Sequence, residues 1–328
     1  MESLILDRVE RLRPGTSICP GQLAREVGLS PRDLRKYLQV LEQKSRIVVK
    51  QRGAARRLAE VHGPFRVASP GIVPAGAPVE HAGWIGIDYS GAGAPDEPQA
   101  GIRVFVSRRG GVPEEMRPGT GRGWDRAGLH AWLRRVVDAG APFVIGIDHA
   151  LGLPAAWVRG HRLRDWDAVL AFAAQRWPAD RLPVRAVRAR SPFPPVAEGY
   201  RLCDRWAGTA KSLFHFDVPG SVAASTAAGL PWIFRLRQEC GRRLHFWPFD
   251  GWVPAAGKTV IAEVYPSMWR RRFAVPEGLT PDQRDAWTVA AWLQWAAVGG
   301  RMERYWEPPL DAVESAQARL EGWILGVG

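Results

Sequence analysis

Gly83-Trp84-Ile85-Gly86-Ile87-Asp88-Tyr89-Ser90-Gly91 is the stretch on which the fold turns. A short apolar run closed by a Gly-rich turn reads as a buried strand, and this one ends in a carboxylate. Pro142-Phe143-Val144-Ile145-Gly146-Ile147-Asp148 repeats the pattern. Between the two, Ile102 to Val106 alternates as an antiparallel neighbour would, and Trp124 to Val137 has the spacing of an amphipathic helix. Strand, hairpin partner, crossover helix and second strand together predict an α/β domain, a mixed sheet flanked by helices. Asp88 and Asp148 would then stand at the carboxyl ends of two strands, the edge where ligands bind in sheets with helical crossovers.

Two further carboxylates lie downstream. Thr259-Val260-Ile261-Ala262-Glu263-Val264-Tyr265-Pro266 is strand-forming on both sides of Glu263, whose side chain must point either into a site or at solvent. Thr280-Pro281-Asp282-Gln283 is a capping box with Pro at the first helical position, so a helix starts there. Its apolar stripe runs through Val289, Trp292, Leu293 and Ala296, and Asp285 falls on the same side. An acid facing the core needs a cation or several donors, because an unpaired buried charge is costly. The alternative for Asp285 is an acid of the first turn, favoured by the helix dipole. Asp88, Asp148, Glu263 and Asp285, with no His or Cys cluster near them, offer the hard oxygen donors that Mg²⁺ and Mn²⁺ prefer. Such ions can activate a water and stabilise the leaving oxygen of a phosphodiester. His149, next to Asp148, can join that site or support it from behind, and the second is the expectation. The Gly-rich turn after Asp88 would also permit a phosphate cradle of the kind found in ATP-binding relatives of such folds.

Outward from these strands, residues 68–82 are rich in Ala, Pro and Gly without helical period, and read as a linker. The head before it, residues 1–67, carries fourteen Lys or Arg against seven Asp or Glu, more than half of the chain's net charge of +12. Leu4, Ile5, Val9 and Leu12 predict a first helix. A second opens at Pro20, carries Leu23, Ala24 and Val27, and stops at Gly28. Ser30 caps a third, which buries Leu34, Leu38 and Leu41 and shows Arg32, Arg35 and Lys36 to solvent. RIVVKQRG and AARRLA then read as a two-stranded wing tipped by Gly53, bearing Lys50, Arg52 and Arg56. This is the pattern of a small winged helix-turn-helix domain, and the concentrated basic charge suits phosphate contacts with DNA or RNA. Protein docking is the alternative use of such a module. TSICPGQLAREVG followed by RIVVKQRG resembles a small uncharacterised bacterial winged-helix family.

At 328 residues the chain has room for two folded units, and with 46% hydrophobic residues and 16 Trp it can fill a large core. Cys19, Cys203 and Cys240 are odd in number and widely spaced, which supports neither a disulfide framework nor a zinc site. The charged first twenty residues do not fit a signal peptide, and the longest uncharged stretch, Val218 to Phe234, is interrupted by Gly and Pro. The expected compartment is the cytoplasm, with no membrane partner.

The order of GIDYSGA, VIGIDHALGLP, the block from Lys211-Ser212-Leu213-Phe214 to Pro219-Gly220-Ser221-Val222, HFWPFDGW, AEVYPSMW, RDAWTVAAWL and EGWILGV resembles an uncharacterised bacterial family of predicted RNase H-like nucleases, over residues 83–327. The resemblance implies an RNase H-like domain over 83–328 with an insertion around 180–242. It implies Asp88, Asp148, Glu263 and Asp285 as metal and catalytic residues, with Mg²⁺ or Mn²⁺, in hydrolysis of DNA or RNA. A non-catalytic nucleic-acid-binding regulator is the alternative on the same fold. Within the insertion, Lys211 is a candidate phosphate contact, and Arg201, Arg205, Arg235 and Arg237 are candidates to line a polyanion groove.

Overall fold

The computed structural model describes residues 81–328 except 120 and 192, and in the head residues 5, 17–18, 23–24, 26–30, 33–34, 36–38, 48–52 and 55–59. The chain divides into two compact units, Met1–Ala77 together with Gly328, and Pro78–Val327.

In the first unit, β1 (Ser17–Ile18), β2 (Val48–Arg52) and β3 (Ala55–Ala59) form an antiparallel sheet in the order β1-β3-β2. The β2-β3 pair is the anticipated hairpin, with Lys50 opposite Arg57 and Arg52 opposite Ala55, whereas β1 carries no sequence signal of its own. Gly28 adopts φ +69°, the left-handed conformation that ends a helix at low cost in glycine. Ser30 Oγ accepts from the Asp33 amide at 3.1 Å, as a cap does. Ile5, Leu23, Ala24, Val27, Leu34 and Leu38 are buried. Lys36 is exposed and sits 3.6 Å from Asp33. Arg32, Arg35, Leu41 and Gly53 lie outside the described residues.

The second unit is a mixed sheet with helices on both faces. Its strands are β4 (Gly83–Asp88), β5 (Arg103–Ser107), β6 (Glu114–Glu115), β7 (Phe143–Asp148), β8 (Leu244–Phe246) and β9 (Thr259–Glu263), in the order β6-β5-β4-β7-β9-β8. β4, β5 and β6 form an antiparallel meander, and from β4 onward the sheet continues in parallel through β7, β9 and β8. Between β6 and β7 the chain crosses over through α1 (Arg126–Asp138), capped by Asp125, whose carboxylate accepts from the Gly128 amide at 2.5 Å. Between β7 and β8 lie α2 (Ala155–Gly160), α3 (Trp166–Arg176), α4 (Val184–Arg190), α5 (Leu202–Ala207) and α6 (Ala223–Cys240). After β9 come α7 (Pro281–Val298), α8 (Met302–Trp306) and α9 (Ala312–Glu321).

Strand alternation sorts the two faces. Ile85, Ile87, Ile145, Ile147 and Ile261 point to one side, where Leu129 and Leu133 of α1 and Leu230 and Ile233 of α6 cover them. Each such buried aliphatic side chain contributes about 1.5–3 kcal/mol. Trp84, Val144, Val260 and Ala262 point to the other side and pack on Val289, Trp292 and Leu293 of α7. Gly229 and Pro231, which the sequence suggests as breaks, lie inside α6 instead. A Cβ on Gly229 would collide with the His149 ring, so this glycine permits close packing of helix on strand.

Gly86 and Gly146 are register partners on the α7 face. A Cβ on Gly86 would lie 2.6 Å from the Ala290 amide, and one on Gly146 would lie 2.6 Å from Val289 Cγ1. Two missing side chains therefore let α7 lie directly on β4 and β7. Gln294, near the end of α7, accepts from Ser107 Oγ at 2.6 Å, and Ser107 registers with Trp84 at the start of β4. α7 thus runs antiparallel to β4, and its amino end sits at the strands' carboxyl edge. Gly86→Ala is expected to push the helix off the sheet and to cost about 1–3 kcal/mol by overpacking. Thermal unfolding measures this, and an unchanged Tm would contradict the close approach.

Candidate active site

Asp88 and Asp148 are themselves register partners, two residues and hence one strand period beyond the Gly86-Gly146 level. Both carboxylates therefore leave the sheet on the α7 face, side by side at its carboxyl edge. α7 begins there, capped by Thr280, whose Oγ1 accepts from the Gln283 amide while Gln283 Oε1 accepts from the Thr280 amide. Its first turns carry Asp282 and Asp285, three residues apart and so on one face of the helix.

The electrostatics mark these acids as one group. Burial, then the charge of Asp148, then those of Asp282 and Asp285, push the Asp88 carboxyl up to about 9. Burial first, with the charges of Asp285 and Glu263 added, raises Asp148 to about 8, against the opposing charge of Arg270. Neighbouring carboxylates of this kind cannot all ionise without a compensating cation. Arg270 supplies part of that compensation. Its Nε donates to Asp285 Oδ1 at 2.7 Å and its Nη2 to Asp285 Oδ2, while the side chain stays half exposed. Neither Arg270 nor Asp282 stands out from the sequence as a site residue, although the three-residue spacing of Asp282 and Asp285 is a signal for the latter.

Glu263 does not join this group. β9 registers Ile147 opposite Glu263, so its side chain leaves the sheet on the face of the isoleucines, opposite to Asp88 and Asp148. There the buried Arg201 guanidinium donates to both Glu263 oxygens at 2.6 Å and to Asp204 Oδ1 at 3.0 Å. Glu321 completes the cluster by accepting from the amides of Ala155, at 2.8 Å, and Leu202. The cluster ties α2, α5 and α9 to β9, which is a structural task.

The other candidates in the insertion are also engaged. Arg235 pairs with Asp180 at 2.7 Å, and Arg237 bridges Asp167 at 2.8 Å and Asp250 at 2.7 Å. Lys211 is half-buried and donates to the Pro219 carbonyl. Arg205 lies 5.9 Å from the centre of the Tyr200 ring. His149 is buried behind the strand end, with Nδ1 2.9 Å from the Ala150 carbonyl and its ring edge-on to Tyr89. Burial lowers it to about 4, so it is neutral at physiological pH.

The turn after Asp88 is clamped from within. Buried Arg126 donates to the carbonyls of Ser90, Ala92 and Gly93 at 3.2, 2.7 and 3.1 Å. The Ala92 amide donates to Ser90 Oγ and the Ala94 amide to Glu97 Oε2, so two amides of a would-be phosphate cradle are spent internally. With its carbonyls turned to Arg126, this turn does not match the phosphate loop of an ATP site.

No family model, curated protein or solved structure matches this chain. All the donors are carboxylate oxygens, which fits a hard divalent cation, and the mutual repulsion at Asp88 and Asp148 is what such a cation relieves. Among the described residues there is no ready-made group of three or more His, Cys, Asp or Glu side chains that could hold a metal ion. The same residues include no helix long and apolar enough to cross a membrane.

A pH dependence follows. Asp88 and Asp148 bind protons more tightly folded than unfolded, where the reference is 3.8. Their contribution to stability is complete below that value and is lost as pH rises through the folded values of about 8 and 9. In chelator, thermal unfolding from about pH 6 to about pH 9.5 should show a falling Tm that Mg²⁺ or Mn²⁺ restores, most at high pH. A Tm insensitive to cation at high pH would contradict the repulsive pair.

Proposed function

We propose that the second unit is an RNase H-like, divalent-metal-dependent phosphodiesterase acting on DNA or RNA, and that the basic head is a winged-helix module that holds the polyanion. The observation that carries this reading is the pair Asp88 and Asp148, register partners at the carboxyl ends of adjacent parallel strands, both pushed far above the ordinary carboxylate range. The antiparallel meander continued by parallel strands supports the RNase H-like assignment, as does the motif series from GIDYSGA to EGWILGV. The β2-β3 hairpin, the Ser30 cap and the head's basic charge support the winged helix.

Asp88 and Asp148 would hold the Mg²⁺ or Mn²⁺, and Asp282 adds negative charge beside Asp88. When bound, the ion supplies Lewis-acid stabilisation to a phosphodiester oxygen. Asp285 is set apart from this task by Arg270, and its role is to fix that guanidinium beside the carboxylates. Arg270, half exposed and bidentate on Asp285, orients a permanent positive charge toward an incoming phosphate. The amino end of α7 adds its dipole at the same place. Arg126 holds the turn after Asp88 so that the carboxylate keeps its direction.

The test is cleavage of single-stranded, duplex and hybrid DNA and RNA with Mg²⁺ or Mn²⁺, against a chelator control. Metal-dependent cleavage of at least one substrate is expected. The engagement of Asp285 by Arg270 favours one second reading, a nucleic-acid-binding regulator with a sealed acidic edge. Binding without cleavage across the whole panel would select it.

A further inference from the structure

The segment between β7 and β8 contributes to two neighbouring cavities. The first, about 490 Å³, is lined by the turn Gly91–Ala94, by Arg185 and Arg188 of α4, by Phe216 and by one acid, Glu97, whose Oε2 accepts from the Ala94 amide. It therefore opens three residues beyond Asp88, at the same edge of the sheet. The second, about 260 Å³, is lined by Trp157, Phe172, Trp177 and Phe193, with Arg176 and Glu198 among its lining side chains. Phe193 of the second cavity packs on Phe216 of the first with ring centroids 4.5 Å apart. The two cavities are thus neighbours through the Phe193-Phe216 contact, and the first opens at the carboxyl edge of the sheet on the side of α6.

The charges are arranged for a polyanion. α4 carries Arg185, Arg188 and Arg190 and no acid. Arg185 is exposed and has no carboxylate partner among the described residues. Arg188 lies over the Phe216 ring at 4.4 Å and pairs with the exposed Asp217 at 3.1 Å. An exposed pair of that kind is worth about 0–1 kcal/mol, so a phosphate can displace the aspartate. The aromatic cavity is fixed by its own contacts, with Trp177 stacked on Phe193 at 4.4 Å and Trp157 at 5.7 Å from Trp177; both tryptophans are buried, and the half-buried Phe172 and Phe193 are the rings it offers to a ligand. Its size suits one planar ring rather than a large ligand. Arg176 and Glu198 offer donors and an acceptor to the edge of such a ring.

We infer that the insertion is a track for single-stranded nucleic acid: Arg185 and Arg188 hold backbone phosphate beside the carboxylate edge, and an unpaired base enters the aromatic cavity and stacks there. A base inside a duplex is stacked and paired, and must leave the helix to reach such a cavity. This names the substrate class of the proposed phosphodiesterase and rests on that reading for its polyanion.

Binding of the full chain to labelled single-stranded DNA and RNA and to duplex DNA, measured by anisotropy in chelator, tests the track independently of cleavage. Arg185→Glu with Arg188→Glu should weaken single-strand binding about tenfold or more and reduce its salt slope by about 1.4, at ~0.7 for each phosphate that is no longer neutralised. Duplex binding through the head should be unchanged. An oligonucleotide with abasic sites should bind the unaltered protein about fivefold or more weakly than the intact strand, at the scale of one missing base stack. Single-strand affinity unaffected by the double substitution, an equal loss for duplex, or equal binding of abasic and intact strands would each overturn the track. None of these results depends on whether the carboxylates cut. Comparing the DNA and RNA arms shows which sugar the track accepts.

Discussion

Asp88→Asn should reduce metal-dependent cleavage by about 10³-fold or more, the scale of about 4 kcal/mol of lost transition-state stabilisation. The substitution keeps the shape of the side chain and removes one of two charges that a divalent cation needs. It should also make the metal-free protein more stable at alkaline pH, because burial and Asp148 both oppose ionisation at this position. Loss of activity together with gain of stability separates a functional acid from a structural one. Asp148→Asn should behave in the same way, by the register that sets the two side by side. Full activity in either variant, measured on the best substrate, would remove the pair from catalysis.

Arg201→Met should produce the opposite combination, a large loss of stability. Arg201 is buried between Glu263 and Asp204, and its removal leaves two carboxylates without their cation. Breaking a buried ion pair from one side costs about 3–5 kcal/mol. Denaturant unfolding should show this as a lower midpoint, and adding Glu263→Gln should recover part of the loss, since one buried charge is then gone. An unchanged midpoint in the single variant would mean that the cluster contributes nothing to the fold. Glu263→Gln alone should change Mn²⁺ affinity far less than Asp88→Asn, since Glu263 acts on Asp148 only through its charge.

The sheet was legible because its central strands are continuous apolar runs, each ending in a carboxylate and a turn. Trp84 to Asp88 and Phe143 to Asp148 admit few other readings, and β4 and β7 run as the period requires. α7 was legible for a different reason, since Thr280, Pro281 and Gln283 fix its first turn by cap chemistry. The face of Glu263 was not legible. A strand buried on both sides has no polar alternation, and only the register with β7 shows which way position 263 points. The pairing of Arg201, read from the sequence as a candidate for a polyanion groove, and that of Arg270 escaped for a related reason. Each arginine meets its carboxylate across 62 and 15 residues respectively, and no local spacing announces a pairing in space. The aromatic cavity is likewise assembled from α2, α3 and the segment around Phe193, whose rings read singly as ordinary core. α6 drew no reading as a helix from the sequence. Gly229 and Pro231 carry the usual signals of a break, yet tertiary packing on His149 needs the glycine inside the helix.

The central claim is that Asp88 and Asp148 form a site for a divalent cation. Calorimetric titration of the full chain with Mn²⁺ near neutral pH tests it directly, with the proton release read from buffers of different ionisation enthalpy. Saturable binding that displaces protons, and that disappears in Asp88→Asn/Asp148→Asn, is the expected result, because carboxyls protonated at about 9 and 8 must ionise to bind the ion. Absence of binding to the unaltered protein, or binding of equal strength in the double variant, would contradict it.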